Sequence, residues 1–230
     1  MAHPDSHSPP TSFQEATHLR FGEVRVRNRG RLPHWEKDAG LYFLTFHLAD
    51  SLPNSVLKKI AERHQMLAAV KGKGARLLPE QKELLEGYSH RRIEEYFDRG
   101  SGSCALGDPR IAGSMASALR FWHGKRYRLL AWCIMPNHVH VVARLFPGQE
   151  LAAIMKSWKL HAARAANLTL GRSGRFWQRE YYDHLLRSQE ELDHAIRYVL
   201  ENPAKAGLSD WAWVWGSAET TLPPPQGRKP

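Results

Sequence analysis

The sequence predicts an α+β fold, an antiparallel sheet in the split β-α-β order with helices on one face. Two β-prone runs, Tyr127–Ile134 and Val139–Leu145, follow one another across a Met135-Pro136-Asn137 turn. Helical patterns lie on either side of that pair, and further strand-like runs lie outside the helices. The resulting order is strand, helix, strand, strand, helix, strand, and then a terminal helix.

Each element has a local reason. Residues 1–33 read as a flexible basic tail, with Pro, Ser and His first and then Arg20, Arg25, Arg27, Arg29 and Arg31. Such a cluster is solvated surface or an arm along a nucleic-acid backbone. The domain proper is expected over 34–218. Leu41–Ala49 is aromatic and β-prone, a strand. Helices are expected at Ser55–Val70 and Pro79–Phe97, joined by the breaker-rich KGKGARLL, so 51–107 reads as a helical insertion after the first strand. Asp108 caps a helix with Pro109 in its first turn, running to about Trp122. Gln149–Ala166 is amphipathic: Leu151, Ile154, Met155, Trp158 and Ala162 recur at helical spacing, while Lys156, Lys159 and Arg164 lie elsewhere. Tyr181–Arg187 reads as the last strand. Ser188 and Glu191 form a capping-box signal for a helix ending near Asn202-Pro203. Trp211, Trp213 and Trp215 are expected to pack back on the domain before a flexible tail at 219–230. No internal repeat is present.

The bulk properties narrow the function class. At 230 residues, 42% of them hydrophobic, one well-packed domain with additions is expected. The net charge of +10 suits a polyanionic partner, because each phosphate contact releases counterions. Cys104 and Cys133 are the only cysteines and form no CxxC pair, which argues against a structural zinc or a disulfide framework. No apolar run approaches the ~20 residues that cross a bilayer, and no apolar leader is seen, so a cytoplasmic protein without a membrane partner is expected.

Two spacings carry chemistry. In His138-Val139-His140, strand alternation sends both imidazoles to one face. Two neutral imidazoles so placed can share a divalent ion. A histidine-triad hydrolase would need a third histidine on that face, where Val142 stands. On the terminal helix, Leu192, Ala195, Ile196, Val199 and Leu200 define the core face. Tyr198 lies roughly 130° from its centre, which predicts an exposed tyrosine. Asn202 stands one turn further on the same side, and its carboxamide oxygen is a hard donor that could complete a metal site. A tyrosine can attack a phosphodiester and form a covalent ester, given a metal to polarise the phosphate. His194 is on the same side and reads as a surface histidine.

Three ordered motifs, AWCIMPNHVH (131–140), FWQREYYD (176–183) and YVLENPAKAGL (198–208), resemble the REP-associated tyrosine transposases. These are single-tyrosine HUH transposases of bacterial insertion sequences. Leu32-Pro33-His34-Trp35 and Tyr42–Phe46 fit the same pattern, so the resemblance spans roughly residues 32 to 218. It implies a ferredoxin-like HUH endonuclease fold. It further implies His138 and His140 as metal ligands, Tyr198 as nucleophile and Asn202 as a third polar ligand. Mg²⁺ or Mn²⁺, a hairpin in single-stranded DNA and a 5′-phosphotyrosine with a free 3′-hydroxyl are implied as well. HUH relatives in plasmid replication and conjugation often carry a lysine three residues after the tyrosine; Glu201 stands there instead. The helices within 51–107 depart from the pattern.

Lys156, Lys159 and Arg164, with Arg175 and Arg179 in the following loop, are the candidate phosphate contacts. The expected state is a monomer or homodimer. Two rival readings are a catalytically inactive DNA-hairpin-binding regulator, against which the intact His138, His140 and Tyr198 set speaks, and a metal-dependent phosphohydrolase. The second would form no covalent adduct.

Overall fold

A computed structural model of the chain describes residues 24–28, 33–51 and 101–218. The helices expected at 55–70 and 79–97, Arg20, Arg29 and Arg31, and the tail at 219–230 fall outside those residues. An antiparallel pair, β1 (Val24–Asn28) and β2 (Pro33–Lys37), comes first. The stretch expected to be a tail therefore carries a strand. Its VRVRN alternation has the period of a strand, which the density of arginine obscures.

The main sheet holds β3 (Leu41–His47), β4 (Tyr127–Ile134), β5 (His138–Leu145), β6 (Tyr182–Leu185) and β7 (Val214–Gly216). Its order is β6-β3-β5-β4-β7, with all neighbours antiparallel. Its first four strands thus stand in the order fourth, first, third, second, as a split β-α-β repeat requires. The fifth, β7, is built from the Trp-rich end of the chain and sets Trp215 opposite Trp132.

Three helices complete the fold: α1 (Pro109–Phe121), α2 (Leu151–Thr169) and α3 (Gln189–Lys205). Asp108 caps α1 by accepting from the Arg110 amide at 2.9 Å. Ser188 Oγ accepts from the Glu191 amide at 3.1 Å, while Glu191 Oε2 accepts from the Arg187 amide at 2.7 Å, a capping box reaching one residue further back than the usual form. Pro203 lies inside α3, and the helix continues past the expected stop at Asn202 to Lys205. Gly207, with φ 75°, then closes the chain reversal that the left-handed conformation permits.

Helices cover both faces of the sheet, where one face was expected. α1 and α2 pack over Leu44, Phe46, Trp132, Ile134, Val139, Val141 and Ala143. α3 packs through Leu192, Ala195, Ile196 and Val199 over Leu41, Phe43, Ala131, Cys133 and Val142 on the other side. The reason lies in β3 itself: all seven of its residues are buried, so neither face could be left to solvent. A bulge between Leu129 and Ala131 puts Leu130 and Ala131 in the core beneath α3 and returns Trp132 to the core beneath α1 and α2. No helix among the described residues is long and apolar enough to cross a membrane.

The core beneath α1 and α2 is tied by one polar chain. Trp158 Nε1 donates to the Tyr127 hydroxyl at 2.7 Å, and that hydroxyl donates to the Leu119 carbonyl at 2.8 Å, linking α2, β4 and α1. Tyr127→Phe would strand both the indole N–H and the carbonyl in a dry core. Urea unfolding should show a loss of about 1–3 kcal/mol, far more than one exposed hydroxyl is worth. A loss within error of zero would mean that the two partners find other bonds.

Candidate active site

β5 places its even-numbered side chains on the face covered by α3, so His138 and His140 point there with Val142. The register sets His47 opposite His138 and Thr45 opposite His140. Both imidazoles of the His138–His140 pair are 1% exposed. Their Nε2 atoms lie 3.0 Å apart. His138 Nδ1 faces Asn137 Oδ1 at 2.7 Å, and His140 Nδ1 faces Thr45 Oγ1 at 2.8 Å. Asn137 Nδ2 donates to the Ser101 carbonyl at 3.1 Å, so the loop entering α1 braces the histidine strand. Burial pushes the His138 imidazole down to about 3, which keeps it neutral, the form that can ligate a cation.

Tyr198 comes to this pair from α3. Its ring lies 5.2 Å from that of His140, edge-on at 80°, and 5.7 Å from Phe43, which itself stacks on His140 at 5.6 Å. The tyrosine is half-buried against the sheet, where the helical wheel predicted an exposed residue. The wheel measures direction from the helix axis alone, and a ring of this length reaches sideways onto the strand beneath. Lys205 Nζ stands 5.8 Å from the centre of the Tyr198 ring while pairing with Glu201 at 2.9 Å. His194 is exposed, in line with its reading as surface.

Asn202, one turn beyond Tyr198, is 2% exposed, and its Oδ1 has no hydrogen-bond partner. A buried carbonyl oxygen left so is costly and calls for an explanation. Helix capping does not supply one, since α3 runs on past it and Ala206 is the C-cap.

The donors fit a hard divalent ion. Among the described residues no three His, Cys, Asp or Glu side chains gather to hold a metal, while His138 and His140 pair on β5 and Asn202 lies buried on α3. Neighbouring ligands about 2.1 Å from an octahedral ion stand about 3.0 Å apart, the separation of the two Nε2 atoms. Two nitrogens with oxygen donors suit such an ion better than a thiolate-rich tetrahedral one.

The basic candidates divide by position. Lys156 and Arg164 are exposed on α2, on the face of the sheet away from Tyr198. Lys159 is engaged by the chain itself: its Nζ donates to the Gln178 carbonyl at 2.7 Å and the Arg179 carbonyl at 3.3 Å, and burial lowers it to about 8. Arg175 and Arg179 are exposed in the loop after α2. That loop reaches the histidine end of the sheet, where the Gln178 amide donates to the His47 carbonyl at 2.9 Å. Phe43, Thr45, His47 and Asn137 were not singled out from the sequence. The period-two run Phe43-x-Thr45-x-His47 on a strand was the available signal.

Residues 116–202 match the family described as "Transposase IS200 like", a span that holds His138, His140, Tyr198 and Asn202. A REP-associated tyrosine transposase of Haemophilus influenzae is 27% identical over 101 residues, covering 38% of this chain and 57% of the relative. A REP-associated tyrosine transposase of Escherichia coli is 26% identical over 90 residues, covering 37% and 52%. The chain thus spans about half the length of the curated relatives it matches. The solved structure of a REP-associated tyrosine transposase bound to a REP hairpin matches over 79% of each chain, at 14% identity and a TM-score of 0.44.

The buried histidine makes stability depend on pH in the metal-free protein. An unfolded His138 takes up a proton below about 6.5, whereas the folded one resists until about 3. Between those values the unfolded chain binds more protons, so stability falls as pH drops, by at most about 1.4 kcal/mol per pH unit. Chelator-treated His138→Gln should show a shallower decline from pH 6.5 to 4 than wild type in urea unfolding. Equal slopes would mean that His138 charges freely in the folded state.

Proposed function

We propose that this chain, whose residues 116–202 match the family described as "Transposase IS200 like", cleaves and rejoins single-stranded hairpin DNA through a 5′-phosphotyrosine on Tyr198. The observation that carries the reading is the convergence of three side chains from two elements, β5 and α3: the Tyr198 ring lies 5.2 Å from that of His140, whose Nε2 is 3.0 Å from that of His138. Asn202 adds an uncommitted buried oxygen one turn along the same helix.

The chemistry follows from these residues. His138, His140 and Asn202 would hold Mg²⁺ or Mn²⁺, which when bound polarises the phosphate and offsets the charge that develops on it. Tyr198 Oη, losing its proton to solvent, forms a bond to phosphorus as the bond to the 3′-oxygen breaks. That oxygen leaves as a 3′-hydroxyl after taking up a proton. The step conserves the number of phosphoester bonds, so attack by a 3′-hydroxyl on the phosphotyrosine reverses it and rejoins a strand. Packing of the Tyr198 ring against Phe43 and His140 limits where its hydroxyl can travel, which is how a weak nucleophile gains from position. Arg175 and Arg179, exposed on the loop whose Gln178 amide bonds to the His47 carbonyl, are the basic candidates for phosphate contacts. The hairpin in single-stranded DNA is the substrate class that the resemblance of the three motifs implies, and the relatives' names, REP-associated tyrosine transposase, support a transposase.

Incubating the protein with a labelled hairpin oligonucleotide and Mn²⁺, then running a denaturing gel, tests the reading. Wild type should give a protein-linked band. Tyr198→Phe should lose it, with hairpin affinity changed less than about threefold, because most affinity comes from phosphate contacts remote from the hydroxyl. Cleavage by Tyr198→Phe at the wild-type rate would point to water as the nucleophile.

The ligand role of Asn202 is separable. Asn202→Ala should raise the Mn²⁺ concentration needed for half-maximal cleavage about 10–100-fold, with cleavage restored at saturating metal. An unshifted metal titration with a lowered melting temperature would leave Asn202 a structural residue.

A further inference from the structure

The hydrogen bonds around the histidine pair have a direction, and that direction makes the two ligands unlike. The Ser101 carbonyl can only accept, so the Asn137 carboxamide turns its Nδ2 to it and its Oδ1 to His138. His138 Nδ1 must then carry the proton, leaving a lone pair on its Nε2. In the metal-free pair the 3.0 Å contact between the two Nε2 atoms is then a hydrogen bond when His140 carries its proton on Nε2. His140 Nδ1 is thereby left as an acceptor, and the Thr45 hydroxyl at 2.8 Å donates to it. Four hydrogen bonds thus run one way, from Thr45 through His140 and His138 to Asn137 and the Ser101 carbonyl.

We propose that Asn137 and Thr45 are positioning residues that make His138 a fixed ligand and His140 a switchable one, the pair closing on itself through an Nε2–H···Nε2 bond until an ion enters. This rests on the reading of the pair as a metal site. Asn137 can only accept from His138 Nδ1, so the Nε2 lone pair of His138 always faces inward. A threonine hydroxyl can donate or accept. When an ion takes the His140 Nε2 lone pair, the ring proton moves through solvent from Nε2 to Nδ1 and the Thr45 hydroxyl rotates to accept it. The net proton count does not change, and no buried ring nitrogen is left without a partner in either state. Valine has nearly the shape of threonine but can do neither, whereas serine can do both. A carboxylate or carbonyl in place of Thr45, able only to accept, would hold His140 permanently in its ligand form; the hydroxyl keeps the metal-free pair bonded and stable.

Two measurements on the full chain decide this. In long-range ¹H–¹⁵N spectra of the histidine rings, assigned with His138→Ala and His140→Ala, the metal-free protein should show His138 protonated at Nδ1 and His140 at Nε2. Titrating Mg²⁺ should leave His138 as it was and move the His140 proton to Nδ1. In parallel, Mn²⁺ binding followed by electron paramagnetic resonance should weaken tenfold or more in Thr45→Val and stay within about threefold of wild type in Thr45→Ser. The same tautomer for both rings without metal, or wild-type Mn²⁺ affinity in Thr45→Val, would overturn the proposal. If wild type binds neither ion, the metal-site reading and the switch fail together, while the metal-free tautomers still decide whether the directed chain exists.

Discussion

The rest of the structure depends on the pairing of β3 with β5. These two strands lie at the centre of the sheet, with both faces covered, and their register sets Phe43, Thr45 and His47 against Val142, His140 and His138. Strand side chains alternate with period two. Slipping one strand by a single residue would drive His138 and His140 into the apolar core beneath α1 and α2 and turn Val139 and Val141 toward α3. The apolar residues on both faces therefore hold the histidines where they are. The register also brings Thr45 within hydrogen-bond reach of His140, since directly opposed residues have Cβ atoms only about 5 Å apart.

On that base α3 is an unusual helix to bury. Its face carries Leu192, Ala195, Ile196 and Val199 against the sheet, but its last turns bring Tyr198, Asn202 and an internal Pro203 to the same surface. The strand side contributes two imidazoles 1% exposed. A layer built for stability alone would place hydrocarbon at these positions, because a buried polar group gains nothing unless it is paired. The His138–His140 pair is satisfied by a chain of hydrogen bonds, and Asn202 Oδ1 is not satisfied at all. That difference falls at the C-terminal end of α3, one turn beyond Tyr198.

Among the described residues the basic candidates play unlike parts. Lys159 spends its charge on two loop carbonyls and so fastens the segment around Gln178 to α2. Gln178 in turn bonds to the His47 carbonyl and to Ser51 Oγ, so this loop is secured at the end of β3 that carries the histidines. Arg175 and Arg179 ride on that secured loop. A cation that looks available on a helical wheel thus acts as a structural clamp, while Arg175 and Arg179 in the loop stay exposed.

Local pattern alone was enough for much of this protein. Alternation put His138 and His140 on one face, the Ser188 and Glu191 signal began α3, and the four-residue spacing kept Asn202 beside Tyr198, since each of these depends only on backbone geometry within a few residues. The order of elements was enough for the α+β class and the split β-α-β sheet. Long-range packing decided the rest. A helical wheel cannot know what lies beneath it, so the half-burial of Tyr198 against Phe43 and His140 appeared only once α3 was laid on the sheet. Nor could the wheel show that α3 covers the face opposite α1 and α2. Thr45 and Asn137 became meaningful only through partners on other segments: Thr45 lies 95 residues from His140, and Asn137 lies 36 residues from Ser101. Residues so far apart in the chain meet only through the pairing of strands and the docking of loops, and those depend on how the whole core packs.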